Sequence, residues 1–321
     1  MAAAQKMGCG VKAAVLVPVL LTCAVLSAKA ATDYVIVAGL GGAPEYETQF
    51  EKWAADLDRE LRSNGADVQV MTLSGSAATK QHVTDAIERV ASKENASDEF
   101  ALLMIGHGTF DGTDYKFNLP GPDITAAELA ALLNRVPARR QLVVNMTSCS
   151  GASLAALAKK DRVVITATKS GTEKNAPVFA RYWIDALHDP AADADKNGTV
   201  SALEAFVYAQ RKTNAYFDSE KLLATEHATL TDNGKTEAVR DPKPENGQGL
   251  LAATFPVMRS QTETASRVGP EKQRLVAKKE ELEAKIDRLK YQKAAMAEDE
   301  YKQQLTALLL ELARTQAELD R

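Results

Sequence analysis

Cysteine is almost absent from this chain: three residues in 321, of which Cys9 and Cys23 lie within the first thirty positions. This scarcity excludes a small disulfide-stapled scaffold, which needs several paired thiols. Basic residues do not outnumber acidic ones, 39 against 43, so the charge pattern of a nucleic-acid-binding protein is also missing. The apolar run at residues 13–26 is too short for a confident membrane span, and no later run approaches that length.

The first thirty residues have the three-part pattern of a secretory signal peptide. Lys6 and Lys12 accompany the apolar run, and Ala28-Lys29-Ala30 supplies the small residues of a cleavage site. We expect cleavage before Ala31, export to the periplasm or the extracellular space, and no membrane span in the mature chain. Cleavage would leave Cys149 as a free thiol, which is either a reactive group or a small buried apolar side chain.

Short runs rich in Val, Ile and Leu alternate with amphipathic helical patterns over residues 31–257, which we take as one domain. We predict strands at residues 34–38, 67–72, 100–105, 142–147 and 163–168, and helices at residues 47–62, 80–92 and from a capping box at Thr125 and Glu128 onward. Apolar strands joined by helices indicate a mainly parallel sheet between two helical layers, an α/β/α sandwich. Functional residues of such sheets lie at the carboxyl ends of the strands.

The rest of the chain has a different composition. Residues 232–248 contain Asn-Gly twice and many charges, which predicts a surface loop, and a last short strand is predicted directly after it, at residues 250–254. After a linker at residues 258–269, residues 270–321 show heptad-like apolar spacing in two stretches that are out of phase. We predict a helical hairpin that breaks near residues 297–299, and one kinked helix is the alternative. The apolar stripe is expected to pack within the hairpin, to drive self-association or to dock a protein partner through residues 271–321.

Two reactive side chains stand at the ends of predicted strands. One strand runs into Gly106-His107-Gly108, and another is followed by Cys149. If these strands are neighbours, the imidazole and the thiol lie at one edge of the sheet, and a Cys/His pair is the simplest unit for covalent catalysis. A helix predicted at residues 151–159 would lower the pKa of the Cys149 thiol. The backbone amides of Gly108 and Cys149 are the candidate oxyanion donors, and the alternative is a buried thiol with a structural histidine.

These segments resemble the caspase-like clan of cysteine peptidases, and within it they are most similar to the legumain family. The resemblance rests on three segments, with 42 positions from His to Cys: Val35-Ile36-Val37-Ala38-Gly39, Met104-Ile105-Gly106-His107-Gly108 and Asn145-Met146-Thr147-Ser148-Cys149-Ser150-Gly151. It covers roughly residues 32–217 and implies a caspase-like α/β/α sandwich with cysteine-type endopeptidase activity. The family's Cys/His dyad needs no third residue. Ser148 departs from the alanine that legumains usually carry before the cysteine.

The resemblance also implies a pocket for the substrate residue that precedes the cut bond. In this clan the segment after the next strand helps to line that pocket, and here it contains Thr168, Lys169, Ser170 and Glu173. An inward Lys169 would suit an acidic substrate residue, Glu173 a basic one and Ser170 an amide. The alternative is that each of these side chains faces solvent, so substrate preference stays open.

A twelve-residue segment matches the calcium loop of an EF-hand at every key position. Gly198 permits the sharp turn at the sixth position, and Val200 is the apolar residue expected at the eighth. The predicted ligands are Asp193, Asp195, Asn197, the carbonyl of Thr199, Ser201 and Glu204. Helices predicted at residues 179–187 and 203–211 flank the loop. We expect a structural calcium ion, and the alternative is an acidic surface turn.

Other features carry no predicted chemistry. The segment at residues 39–42 is superficially similar to a dinucleotide loop, but Pro44 stands at the third glycine position, so no organic cofactor is predicted. His82, His188 and His227 lack metal-ligand spacing and are assigned surface or helix-packing roles. The sequence therefore predicts an exported, calcium-stabilised cysteine endopeptidase that acts on polypeptides. The alternative is a catalytically silent caspase-like adaptor that binds protein partners through its cleft and helical tail.

Overall fold

The computed structural model describes residues 32–65, 67–93, 99–259 and 269–320. The predicted signal peptide at residues 1–30 and most of the predicted linker at residues 258–269 lie outside this part of the chain. Within it, no helix combines the length and the hydropathy that crossing a membrane requires.

Strands and helices alternate along the described residues. The strands are β1 (Thr32–Ala38), β2 (Val68–Leu73), β3 (Glu99–Gly106), β4 (Gly108–Phe110), β5 (Tyr115–Phe117), β6 (Ile124–Thr125), β7 (Arg140–Thr147), β8 (Arg162–Thr166), β9 (Thr199–Ser201), β10 (Thr229–Thr231) and β11 (Pro256–Arg259). The helices are α1 (Pro44–Arg62), α2 (Lys80–Ala91), α3 (Ala126–Leu133), α4 (Leu154–Leu157), α5 (Phe179–Ala186), α6 (Ala202–Ser219), α7 (Leu250–Ala253), α8 (Pro270–Gln292) and α9 (Glu298–Leu319). All five predicted central strands are present, as β1, β2, β3, β7 and β8.

A six-stranded sheet in the order β10-β8-β7-β3-β1-β2 forms the middle layer of the domain. Its neighbours run parallel, except that β10 is antiparallel to β8. Because side chains alternate along a strand, odd-numbered residues of β3 face a core with α1, α5 and α6, and even-numbered ones face a core with α2 and α3. The predicted α/β/α sandwich with a mainly parallel sheet is confirmed.

Two small sheets were not predicted. Strands β4, β5 and β6 form an antiparallel sheet directly after β3, and β9 pairs with β11. These strands are two to four residues long, which is too short for an alternating apolar pattern to stand out. The β4–β5 hairpin matters for the site, because it begins one residue after His107.

The last predicted strand of the domain is wrong in type. Its residues form the helix α7, and the strand β11 follows it. The buried Asp232 carboxylate accepts hydrogen bonds from the amides of Gly249 and Ala252, at 2.9 and 3.1 Å, and so caps α7 from a distant part of the chain. The preceding loop at residues 232–248 is anchored inside the domain, since both of its end residues are buried. Strand β11 also extends two residues beyond the predicted domain boundary at residue 257.

The tail is a helical hairpin, as predicted. Helices α8 and α9 are separated by residues 293–297, close to the predicted break. The apolar stripe of α8 is buried through Leu282, Ile286 and Leu289. On α9, Leu309 and Leu310 stay exposed. Self-association or partner docking through the tail therefore remains a prediction.

The hairpin packs against the domain through α8. The Lys279 ammonium donates a hydrogen bond to the carbonyl of Asn197 at 2.7 Å, and the Tyr291 hydroxyl donates to the carbonyl of Gln248 at 2.9 Å. Arg259, at the end of β11, forms an ion pair with Glu280 of α8 at 3.0 Å. The tail is thus fixed to the domain by polar contacts along α8.

Replacement of Thr125 by alanine should lower the free energy of unfolding by about 1 kcal/mol, the usual value of a helix cap. The Thr125 hydroxyl accepts the Glu128 amide at 3.2 Å, and the Glu128 carboxylate accepts the Thr125 amide at 2.9 Å. Urea unfolding measures the change, with Thr113→Ala in an exposed turn as the control. Equal stabilities of the two variants would contradict the capping box.

Candidate active site

Strands β3 and β7 are neighbours in the sheet, so the residues that follow them meet at its carboxyl edge. Their register pairs Gly106 with Thr147, the last residue of each strand. His107 follows Gly106 directly, and Cys149 follows Thr147 after one residue. The two predicted catalytic residues therefore lie at the same edge of adjacent strands.

The His107 imidazole packs on the α1 side of this edge. Its ring meets Tyr46 and Phe50 edge-on, with centroid distances of 5.0 and 5.2 Å, and it forms a hydrogen bond with the backbone of Gly41. Partial burial lowers the pKa of His107, and the bond to Gly41 opposes part of that shift. The neutral imidazole, which is the form a general base needs, is favoured.

The Cys149 thiol packs into the other core, with α2 and α3, and the residue is 2% exposed. Burial raises the pKa of the thiol, although nearby Lys174 and a hydrogen bond to the Phe110 backbone lower it in part. The predicted lowering of this pKa is therefore wrong in sign. The predicted helix after the cysteine is a 3-10 turn, Ser150–Ser153, followed by the four-residue α4, so it supplies only a weak dipole.

Cys149 thus belongs to the core of α2 and α3, whereas the His107 ring contacts aromatic side chains of α1. The backbone of Cys149 is left-handed, with φ of 58°. This is a strained conformation for a residue with a side chain, and it costs on the order of 1–3 kcal/mol.

Both candidate oxyanion donors are engaged within the protein. The Gly108 amide donates to the Ser148 hydroxyl at 3.1 Å, and that hydroxyl donates to the Gly108 carbonyl at 3.0 Å. The Cys149 amide donates to the carbonyl of Glu173 at 2.8 Å. Because the two amides are directed at two different oxygens, an oxyanion site requires these bonds to be exchanged.

The predicted pocket residues have separate roles. Thr168 is buried, and its hydroxyl accepts a hydrogen bond from the Gly151 amide at 2.9 Å. It therefore helps to fix the turn that follows Cys149. A Cβ atom at position 151 would lie 2.2 Å from the backbone nitrogen of Ser170, which is too close for any residue other than glycine. Lys169 is exposed, as the alternative interpretation has it. Among the four, Glu173 turns inward, with a side chain that is 10% exposed.

His227 belongs to this site, although its sequence context suggested only a surface or packing role. Its ring atom Nδ1 lies 2.5 Å from the Glu173 carboxylate, and its amide donates to the same carboxylate at 3.2 Å. The pairing of Thr229 with Thr166 brings the residues before β10 to the carboxyl edge of the sheet. No local motif signals this contact, because the two residues are 54 positions apart and meet only through the antiparallel pairing of β10 with β8.

The predicted calcium ligands come together in part. Asp193, Asp195 and Glu204 each offer a carboxylate oxygen, and these oxygens lie within 4.8 Å of one another. Burial and the nearby charges of Glu204, Asp193 and Asp287 raise the pKa of Asp195 to about 6. Three clustered carboxylates repel one another, and hard oxygen donors of this kind fit a calcium ion.

The other predicted ligands shape the loop. The Asn197 side chain accepts the Thr199 amide at 2.8 Å, and Gly198 takes the left-handed conformation, with φ of 89°, that the turn requires. Ser201 and Glu204 form a capping box at the start of α6, and the Ser201 hydroxyl donates a hydrogen bond to the Glu204 carboxylate at 2.8 Å. Helices α5 and α6 flank the loop as predicted.

The loop lies at the edge of the sheet opposite the one that carries His107 and Cys149. Asn197 and Thr199 line a cavity of about 350 Å³ together with α8 and the first residues of β1, β3 and β7. These residues form the amino edge of the sheet, opposite His107 and Cys149. An ion in this loop would therefore have a structural role.

No protein-family model and no curated protein matches the chain. Among solved structures, that of protein GSU0716 from Geobacter sulfurreducens aligns with 69% of this chain and 97% of its own, at 16% sequence identity and a TM-score of 0.44. That of the Drosophila initiator caspase Dronc aligns with 65% of this chain and 81% of its own, at 11% identity and a TM-score of 0.43. Neither similarity bears on activity, and the resemblance to the legumain family stays a prediction.

The raised pKa of Cys149 predicts how its alkylation depends on pH. Labelling of the native protein by iodoacetamide, followed at Cys149 by peptide mass spectrometry, should be slow, with a midpoint above the ordinary thiol value of about 8.5. The same chain unfolded in urea is the control and should titrate at the ordinary value. A native midpoint at or below that of the unfolded chain would contradict the burial of the thiol.

Proposed function

We propose that the chain is a cysteine endopeptidase in which Cys149 is the nucleophile and His107 the general base. One observation carries the proposal: Cys149 holds a strained left-handed backbone at the end of β7, beside the strand that ends before His107. Strain of this kind persists where the surrounding fold enforces it, and it clusters at functional sites. Asp161, Lys196 and Lys221 share the left-handed conformation, but of these residues Cys149 alone follows a strand that is paired with the strand before His107. By its predicted signal peptide, the proposed enzyme acts on polypeptides outside the cytoplasm.

The proposed reaction uses the two side chains in sequence. The His107 imidazole takes the thiol proton, and the Cys149 sulfur attacks the peptide carbonyl to form a tetrahedral oxyanion. The imidazolium then protonates the departing amine, which leaves a thioester on Cys149. Water attacks the thioester with His107 as base, releasing the acid and restoring the thiol. The Gly108 and Cys149 amides would stabilise the oxyanion after leaving their present partners.

Cys149→Ala should lower peptide cleavage at least about 1,000-fold, because the thioester route disappears with the sulfur. A fluorogenic peptide library with every residue varied at each position measures the activity and reports specificity. The melting temperature should change little. Cleavage that persists in Cys149→Ala would exclude the assigned nucleophile.

A second candidate function is a catalytically silent adaptor, which binds proteins through the cleft without cutting them. The observation that favours it is the state of the site: Cys149 is 2% exposed, the pKa of its thiol is raised, and the imidazole contacts aromatic side chains of α1. A wild-type chain that cleaves no member of the library would favour the adaptor.

We further propose that residues 193–204 bind a structural calcium ion. The support is the cluster of carboxylates at Asp193, Asp195 and Glu204, to which the Asn197 side chain adds a hydrogen bond from its amide nitrogen to Asp195 at 3.2 Å. When bound, the ion would offset the mutual repulsion of the three neighbouring carboxylates. Its position at the amino edge of the sheet suits stabilisation of the α5–α6 pair and of the docked tail.

Asp195→Asn separates the effect of the ion from that of the loop itself. In calcium the variant should melt below the wild type, because a ligand charge is lost and ligand-linked stability falls with it. In chelator it should melt at the same temperature or above, because the substitution removes repulsion with Glu204 and Asp193. Asp241→Asn, at an exposed site, is the control. A melting shift of equal size and sign under both conditions would contradict the calcium proposal.

A further inference from the structure

The amide of the proposed nucleophile is held by a loop that lies between β8 and α5. The Cys149 amide donates to the Glu173 carbonyl at 2.8 Å. An oxyanion formed on a substrate would need this same N–H group as a donor. The Glu173 carbonyl oxygen therefore occupies a place that the reaction would need.

The side chain of Glu173 fixes this loop. Its carboxylate accepts the Lys169 amide at 2.9 Å and the His227 amide at 3.2 Å, both on one oxygen. The other oxygen lies 2.5 Å from His227 Nδ1. Because a carboxylate only accepts hydrogen bonds, His227 carries its proton on Nδ1. The Lys169 ammonium adds a weaker contact at 3.7 Å.

His227 is itself held in place from both sides. Thr229, two residues later, pairs with Thr166 of β8. Glu226, the residue before it, is buried and accepts the amides of Val178 and Phe179 at 2.9 and 3.4 Å. The imidazole is thus a fixed donor on a framework, and the loop that ends at Glu173 is tied to it.

We infer that Glu173 and His227 are positioning residues that set the reactivity of Cys149. The pair holds the Glu173 carbonyl against the Cys149 amide and thereby keeps that amide unavailable to a substrate. The inference rests on the proposed function, because the pair can affect catalysis only if Cys149 is the nucleophile. A substrate has to displace the Glu173 carbonyl before the Cys149 amide can serve an oxyanion.

His227→Ala removes the donor to the Glu173 carboxylate, and His227→Asn keeps one, since an asparagine N–H stands close to the position of Nδ1. NMR-detected exchange of the Cys149 amide and the rate of Cys149 alkylation should both rise roughly tenfold in His227→Ala, the factor expected for one lost charge-assisted hydrogen bond. Both rates should stay near the wild-type values in His227→Asn. His188→Ala, at an exposed histidine, is the control.

Glu173→Gln provides a second variant if His227→Ala fails to fold. The substitution keeps the size of the side chain but replaces one accepting oxygen with an NH2 group. That group cannot accept the hydrogen bonds that the Glu173 carboxylate accepts, so both rates should rise in this variant too. Unchanged rates in both variants, or the same rise in His227→Asn, would overturn the inference. Failure of the proposed function looks different: the wild type and every variant would leave the peptide library uncut, while the rates at Cys149 still respond to His227.

Discussion

The parallel pairing of β3 with β7 is the constraint on which the site depends. Its register pairs Gly106 with Thr147, and this alone brings His107 and Cys149 to one edge of the sheet. Strands of this kind are buried on both faces, so a slip of one residue would move each side chain into the opposite core and disturb the packing of both. The closeness of the two segments is therefore set by the core and not by the reactive residues themselves.

Beyond the strand ends, hydrogen bonds between loops and the packing of aromatic rings decide the geometry. The serine before the nucleophile bonds to Gly108, the Glu173 carbonyl bonds to the Cys149 amide, and aromatic rings of α1 hold the imidazole. These contacts describe a closed site in which each catalytic group has another partner. The opposite edge of the sheet carries the proposed calcium loop and the tail, so the proposed stabilising region and the proposed reactive region lie at opposite edges.

The strands, the Thr125 capping box and the helical hairpin could be predicted from the sequence, because each depends on residues a few positions apart. The same holds for the left-handed turn at Gly198 and for the helices on either side of residues 193–204, whereas calcium binding there stays a prediction. The contact of His227 with Glu173 could not be predicted, since it requires knowing that β10 lies antiparallel beside β8. The thiol pKa was predicted with the wrong sign for a similar reason: burial is a property of the packed core, and the short turn after Cys149 gives little helix dipole against it.

The central claim is that Cys149 and His107 act as one catalytic unit, and trapping of the acyl-enzyme tests it most directly. The wild-type chain is mixed with the peptide library, quenched in acid and examined by intact-mass and peptide mass spectrometry. We expect a peptidyl thioester on Cys149 in the wild type and none in His107→Ala. A wild type with no adduct, or an equal yield of adduct without the imidazole, would contradict the account.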